Sequence, residues 1–277
     1  MVFNSLNKYV TKYLLVSISI LLVLSSCDKW FEYSPYSANV PVKMRQTTTR
    51  CLNKISEMNS SGFPFTRFKI AFISDSHLNF DDLEDAVEAI NRDEEVVFTI
   101  HCGDMTDGGM LAEYMISWNI ADKLRRPYLT VTGNHDCLAN GEYIYQEMFG
   151  PKDYSLEFQQ CKFVFFTDVI WELNNREPDF LWLDNELKFS TQYRHVFVIA
   201  HIPPWSDQFS PLRTVAYRMM MHDHGVRYSV HGHHHDPYLG YYFSDSIPYL
   251  VVGSVDKRGY YELVVEQDSC WFNRIQY

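Results

Sequence analysis

Five apolar runs in this chain end in a residue that can ligate a metal, and that pattern constrains the fold more than any bulk property. The clearest run is Val96-Val97-Phe98-Thr99-Ile100, long and β-branched enough for a buried strand. It leads into His101-Cys102-Gly103-Asp104-Met105-Thr106-Asp107. Asp104 stands where that strand ends, and Gly103 before it lets the backbone turn with no side chain in the way. Asp75, Asn134, His201 and His233 stand in the same way after the runs at 69–74, 128–132, 195–200 and 226–230. In open α/β sheets, ligand chemistry gathers just outside the carboxyl ends of strands. Five metal-ligand residue types at five strand ends point to a dinuclear metal hydrolase, with Asp104 the carboxylate placed to bridge two ions.

Helical periodicity separates the early strands. Residues 81–91 carry Leu83, Ala86, Val87 and Ile90 at helical spacing, with Asp81 placed to cap them. Residues 110–124 read as an amphipathic helix. Two βαβ units therefore bring three polar turns to one edge. The middle third changes character, since 154–158 and 162–167 resemble a hairpin. Helices are expected at 178–189, with Pro178 in the first turn, and at 211–224, where Met219-Met220-Met221 suits core packing. Strands are expected at 247–255, 260–265 and 271–277.

The N-terminus reads as a targeting segment. Lys8 and Lys12 precede a mainly apolar run from Leu14 to Leu24, and Leu24-Ser25-Ser26-Cys27 closes it. As a helix that run spans about 16 Å, against a hydrocarbon core of roughly 30 Å, which suits a cleaved signal and not a membrane span. Leu-Ser-Ser-Cys resembles the lipobox of bacterial lipoproteins, in which the cysteine thiol is acylated. The resemblance implies a signal peptide at 1–26, lipidation of Cys27, and a protein anchored to the bacterial cell envelope outside the cytoplasm. An ordinary signal peptide with an incidental cysteine is the other reading. Residues 27–66 read as a tether and entry segment, rich in Ser, Pro, Tyr, Asn and Thr, with one or two helical turns within 50–58. The catalytic domain is expected at 67–277. A formal charge of −11 argues against a general nucleic-acid binder, which needs a basic surface.

Taken in order, Asp75-x-His77, Gly103-Asp104-x-x-Asp107, Gly133-Asn134-His135-Asp136, His201 and Gly232-His233-x-His235 form a constellation. It resembles the calcineurin-like metallophosphoesterase family from Phe68 onward, with all five blocks in the family's order. The resemblance implies an α/β fold, a four-layer α/β/β/α sandwich of two mixed sheets flanked by helices. It also implies two divalent ions, with Asp75, His77, Asp104 and His235 holding one and Asp104, Asn134, His201 and His233 the other. Mixed imidazole and carboxylate ligation suits Mn, Fe or Zn. His135 is then left beside the phosphate as general acid or charge partner, with Asp136 orienting it and Asp107 outside the ligand set. Purple acid phosphatases, a related group, carry a tyrosine ligand where this chain has Asp107. The family's phosphodiesterases often have a second histidine where it has Ile202.

The expected substrate is a small phosphoester, mono- or diester. Trp171 and Trp205 are candidate pocket walls, and His234 a bystander or substrate contact. The rival function is a binding or scaffold lipoprotein that keeps the fold without turnover, because fold does not fix function.

Overall fold

The computed structural model describes residues 13–14, 16–19, 34–59 and 65–277. The chain divides into two compact units, Met1–Ser37 and Ala38–Tyr277. In the first, residues 13–14 and 16–19 are helical. Cys27 and the rest of the lipobox-like segment lie outside the described residues. No helix among the described residues is long and apolar enough to cross a membrane.

The second unit holds two mixed sheets. Its strands are β1 (Phe68–Ile73), β2 (Val96–His101), β3 (Tyr128–Thr130), β4 (Tyr154–Phe158), β5 (Cys161–Phe165) and β6 (His195–Ile199). They continue with β7 (Tyr228–His231), β8 (Tyr238–Gly240), β9 (Tyr249–Val251), β10 (Gly259–Val265) and β11 (Cys270–Gln276). One sheet has the order β11-β10-β1-β2-β3, the other β4-β5-β6-β7-β9-β8. The consecutive pairs among β1, β2 and β3 run parallel, as do those among β5, β6, β7 and β9. Antiparallel pairing is confined to β10 and β11 on one side of the first sheet and to the two edge strands of the second, β4 and β8.

The period-two alternation of the strands sorts their side chains between layers. Ile70 and Phe72 of β1, Phe98 and Ile100 of β2, Phe163 and Phe165 of β5, and Phe197 and Ile199 of β6 share one buried cluster between the sheets. Their neighbours Ala71 and Ile73 face outward and meet Leu83, Ala86, Val87 and Ile90 of the helix Phe80–Arg92. On the other side, Val164 and Val198 meet Leu183 and Leu187 of the helix Phe180–Leu187, and Tyr217 and Met221 of the helix Pro211–Asp223. Helix, sheet, sheet and helix are thus stacked in four layers, the expected fold class.

In chain order the helices are α1 (Thr47–Asn59), α2 (Phe80–Arg92), α3 (Leu111–Ala121), α4 (Gly141–Met148), α5 (Phe180–Leu187) and α6 (Pro211–Asp223). The segment expected to be a tether to residue 66 contains α1, whose Ile55 is fully buried in the cluster between the sheets. Val40 and Met44 pack with Tyr114, Ile144 and Tyr145 of α3 and α4. The compact unit accordingly begins at Ala38.

Two helix starts differ from expectation. Asn79 stands at the N-cap of α2 without a side-chain bond, so Asp81 lies in the first turn, where its charge meets the helix dipole. Before α5 the cap is Asp179, whose side chain accepts from Trp182 N, and Pro178 precedes it. The strands β3 and β9 are shorter than their apolar runs, and α4 and β8 carry no pattern that the sequence reading used. The β4–β5 hairpin turns on Gln159 and Gln160 at φ of 49° and 62°. Two residues at positive φ match the right-handed twist of paired strands.

Candidate metal centre

The polar turns converge where the carboxyl ends of both sheets meet. The backbone there is held in an unfavourable form: Asp75, His77, Asp104 and His233 have φ of 50°, 44°, 56° and 65°. A residue with a Cβ in the left-handed region costs about 1–3 kcal/mol, and such residues persist where surrounding structure over-determines them, often at functional sites. Glycines make the close approach. Gly103 has φ of 93°, and a Cβ there would lie 2.4 Å from His201 Nδ1. A Cβ on Gly133 would lie 2.1 Å from Asp104 Oδ1.

The first sheet contributes Asp75 and His77 after β1, Asp104 after β2 and Asn134 after β3. The second contributes His201 after β6, and His233 and His235 after β7. Three overlapping sets have ligand atoms within 4.8 Å of one another: Asp75 with His77 and His235, His77 with Asp104 and His135, and Asp104 with His201 and His233. Asp104 Oδ1 accepts from His135 N at 2.9 Å. Its Oδ2 lies 3.2 Å from His201 Nε2 and 3.7 Å from His77 Nε2. Asn134 Oδ1 lies 3.2 Å from His201 Nε2 and 3.0 Å from His233 Nδ1. His235 Nε2 is 3.9 Å from Asp75 Oδ1, and its side chain is half exposed, unlike the buried Asp75. All seven expected ligands thus gather at one place.

Burial and mutual charge set the electrostatics. Burial pushes the Asp75 carboxyl up to about 6 although His201 opposes it. For Asp104, burial acts upward too, but His201, His135 and His77 outweigh it and hold the carboxyl well below its usual range. Burial presses His201 down while Asp104 and Asp75 raise it further, to about 10. Burial and then the nearby His201 charge depress His233 to about 3. His201 Nδ1 donates to Cys102 O at 2.7 Å, so Nε2 is the ring atom that faces Asp104 and Asn134. His77 is buried, and neither ring nitrogen has a hydrogen-bond partner among the described residues. An unpartnered buried imidazole is costly, and a cation would satisfy it. Aligned imidazole, carboxylate and carboxamide donors therefore fit divalent metal ions.

His135 lies beside this cluster, its ring centroid 4.6 Å from that of His77 at an edge-on angle. Its Nδ1 donates to Asp107 O at 2.7 Å, which leaves Nε2 as the free ring atom. Burial lowers the His135 pKa, but the Asp107 carbonyl and the charges of Asp104, Asp107 and Asp136 win, so the net shift is upward. Asp136 is not the residue that orients this ring. Its carboxylate accepts from Thr106 N, Thr106 Oγ1 and Gly133 N at 2.9–3.0 Å, tying the Asp104 loop to the Asn134 loop. Asp107 does the orienting, and its half-exposed carboxylate lies 3.4 Å from His77 Nδ1.

Two supporting residues carry no signal in the sequence. Glu172 Oε1 accepts from Asn134 Nδ2 at 3.2 Å, which turns Asn134 Oδ1 toward the histidines. Glu172 is held in turn by Gln208, whose Nε2 donates to Oε2 at 3.3 Å. Buried Asp168 accepts from the backbone N–H groups of His201 and Ile202 at 3.0–3.1 Å and fixes that turn. Burial raises Asp168 to about 7, against the Ile202 N–H bond and the His201 charge. Ile202 is buried in the apolar layer under α5 and α6. His234 Nε2 pairs with Ser206 Oγ at 3.1 Å. Trp205 stacks on Tyr242 at 4.0 Å, with its ring centroid 6.2 Å from that of His234, and Trp171 is half exposed.

A model of the calcineurin-like phosphoesterase family matches residues 68–237. In fold, the chain is similar to a purple acid phosphatase from seeds of yellow lupin (Lupinus luteus), with a TM-score of 0.60 and 12% identity. That likeness covers 78% of this chain and 53% of the lupin one, so this chain spans about half the lupin protein's length. It is also similar to GAP50, the anchor in the inner membrane complex of Plasmodium, with a TM-score of 0.59 and 12% identity over 76% of this chain and 84% of that one. PhoD gives a TM-score of 0.54 and 10% identity over 76% and 69%. At these identities the likeness is one of fold. No curated protein sequence matches the chain.

Proposed function

Because this chain belongs to the calcineurin-like phosphoesterase family, we propose that it is a dinuclear metal-dependent hydrolase of a small phosphomonoester or phosphodiester. We place it outside the cytoplasm of a bacterial cell, held to the envelope membrane by a lipid on Cys27. One observation carries the catalytic reading: Asp104 belongs to two of the three overlapping ligand sets, with one oxygen fixed by a backbone N–H and the other between His201 and His77. Asp75, His77, Asp104 and His235 would hold one ion, and Asp104, Asn134, His201 and His233 the other. Divalent ions held by these residues would supply acidified water and neutralise charge on the phosphoryl oxygens. His135 supplies the proton: Nδ1 is committed to Asp107 O, so Nε2 is the atom that donates to the departing oxygen. Glu172 keeps Asn134 from turning its amide nitrogen toward the cation site.

The test is Asp104→Asn, which keeps the shape but removes the bridging charge. Elemental analysis is expected to show loss of at least one metal equivalent, and assays on mono- and diesters across Mn, Fe and Zn to show loss of nearly all turnover. Full occupancy in that variant would remove the bridge. GAP50, described as an anchor, gives one reason to keep a scaffold lipoprotein as the second reading. Absence of turnover in the wild-type protein on every ester and metal would favour it. For the anchor, Cys27→Ser should leave an unprocessed precursor or a soluble protein, and an unchanged mass and membrane fraction would reject lipidation.

A further inference from the structure

At the other end of β3 from the metal centre, a cavity of about 460 Å³ opens between α1 and α3. Its walls bring together Lys43, Arg50, Lys54 and Arg126, with Asp122 the only carboxylate among them. None of the four cations forms an ion pair among the described residues. In a chain of formal charge −11, such a cluster stands out. Like charges held around one hollow repel, and a bound anion relieves that repulsion. The remaining walls are apolar rings and chains, including Trp118, Leu124 and Tyr128. Lys43 Nζ lies 5.8 Å from the centre of the Trp118 ring, and Arg50 Nη2 donates to Lys43 O at 3.0 Å, so the cations are tied to the cavity frame. Tyr128 adds a buried hydroxyl without a hydrogen-bond partner among the described residues.

We infer that this cavity is a second, non-catalytic site for a small phosphorylated organic anion of the glycerophosphate class. A phosphate group matches the charge and the guanidinium forks of Arg50 and Arg126, which favour planar, paired contacts to phosphate oxygens. Inorganic phosphate alone would leave most of the volume and the Trp118 and Tyr128 walls unused. An organic moiety attached to the phosphate fills them. The site is separate from the metal centre: Arg126 precedes β3 and Tyr128 begins it, whereas Asn134 follows it, and the six residue steps from Tyr128 to Asn134 span roughly 20 Å of extended chain. The ligand is either a free phosphoester or the glycerophosphate headgroup of an anionic lipid, and the cavity borders residue 43, near the start of the compact unit at Ala38.

The test separates this site from the catalytic one by working in excess chelator, where a metal-dependent phosphoester site is silent. Calorimetric titration of the full chain with sn-glycerol 3-phosphate should show binding that weakens as salt rises. Arg50→Ala and Lys54→Ala should each weaken it roughly tenfold or more, the range for a charge-assisted hydrogen bond. Both residues are exposed on α1, and unchanged circular dichroism with the independent variant Lys43→Ala guards against a folding artefact. Sedimentation with phosphatidylglycerol and with phosphatidylcholine vesicles then identifies the source. A preference for the anionic vesicles that Arg50→Ala/Lys54→Ala abolishes assigns the ligand as a lipid headgroup. Binding of glycerol 3-phosphate without such a preference assigns a free phosphoester. No binding in chelator, or equal binding by wild type and variants, overturns the inference.

Discussion

His135 is the residue whose role the geometry narrows most. Its Nδ1 is fixed on a carbonyl and its pKa is raised, both of which suit a proton donor. A donor matters most when the leaving group is a poor one. His135→Ala is therefore expected to slow hydrolysis of an alkyl phosphoester by roughly 10²–10⁴-fold and that of a nitrophenyl ester far less. Equal losses with both esters would assign His135 to phosphoryl charge stabilisation. Asp168 gives a second prediction, through pH. Its folded pKa, about 7, lies above the ordinary carboxyl value of 3.8, so its contribution to stability is fully present below the latter and lost as pH rises through the former. In chelator, wild type should gain melting temperature relative to Asp168→Asn as pH falls from about 7 to about 4. A difference that does not move with pH would mean that Asp168 ionises normally. The ligand-type residues were legible because each follows an apolar run, and three of the seven, Asp104, Asn134 and His233, come directly after a glycine. Glu172 and Asp168 were not, since they reach the site from loops 33 to 38 residues away from the backbone or side chain they hold. Asp136 was misread for the opposite reason: adjacency to His135 in sequence suggested a contact that the fold gives to Asp107.

At the scale of elements, periodicity located strands and helices well and their partners poorly. The apolar runs before Asp75, Asp104, Asn134, His201 and His233 all contain strands, and the expected hairpin is present as β4–β5. What no local pattern discloses is that α1 lies against the main body. Its sequence, Thr47–Asn59, has few apolar residues, and Ile55 alone is a fully buried large one. Ile55→Ala should therefore lower stability by about 2–5 kcal/mol, the range for truncating a core aliphatic, with Ile55→Val near 0.5–1.5. Denaturant melts of the two variants measure this. A loss within error for Ile55→Ala would return α1 to the tether. The shorter β3 and β9 have the same origin as the site itself, because the backbone leaves the ladder to make the turns that carry ligands.

For the whole molecule, the decisive feature is that the two sheets share the cluster unequally. Asp75, His77, Asp104 and Asn134 come from the first, and His201, His233 and His235 from the second, across the apolar cluster that divides them. Cations seated there would rivet one plate to the other. A ligand that binds only the folded form adds about 2.7 kcal/mol at a hundredfold excess over its Kd. Manganese or zinc should thus raise the melting temperature of wild type and leave Asp104→Asn nearly unmoved. The rivet also ties exchange of the ions to parting of the plates. Amides of Phe98 in β2 and Phe163 in β5, whose rings meet edge-on at 5.7 Å across that seam, should exchange with deuterium more slowly once the ions are in place. By the same coupling, ion release should be slow, and it should quicken with any substitution that loosens the aromatic packing between the sheets, even one placed well away from every ligand.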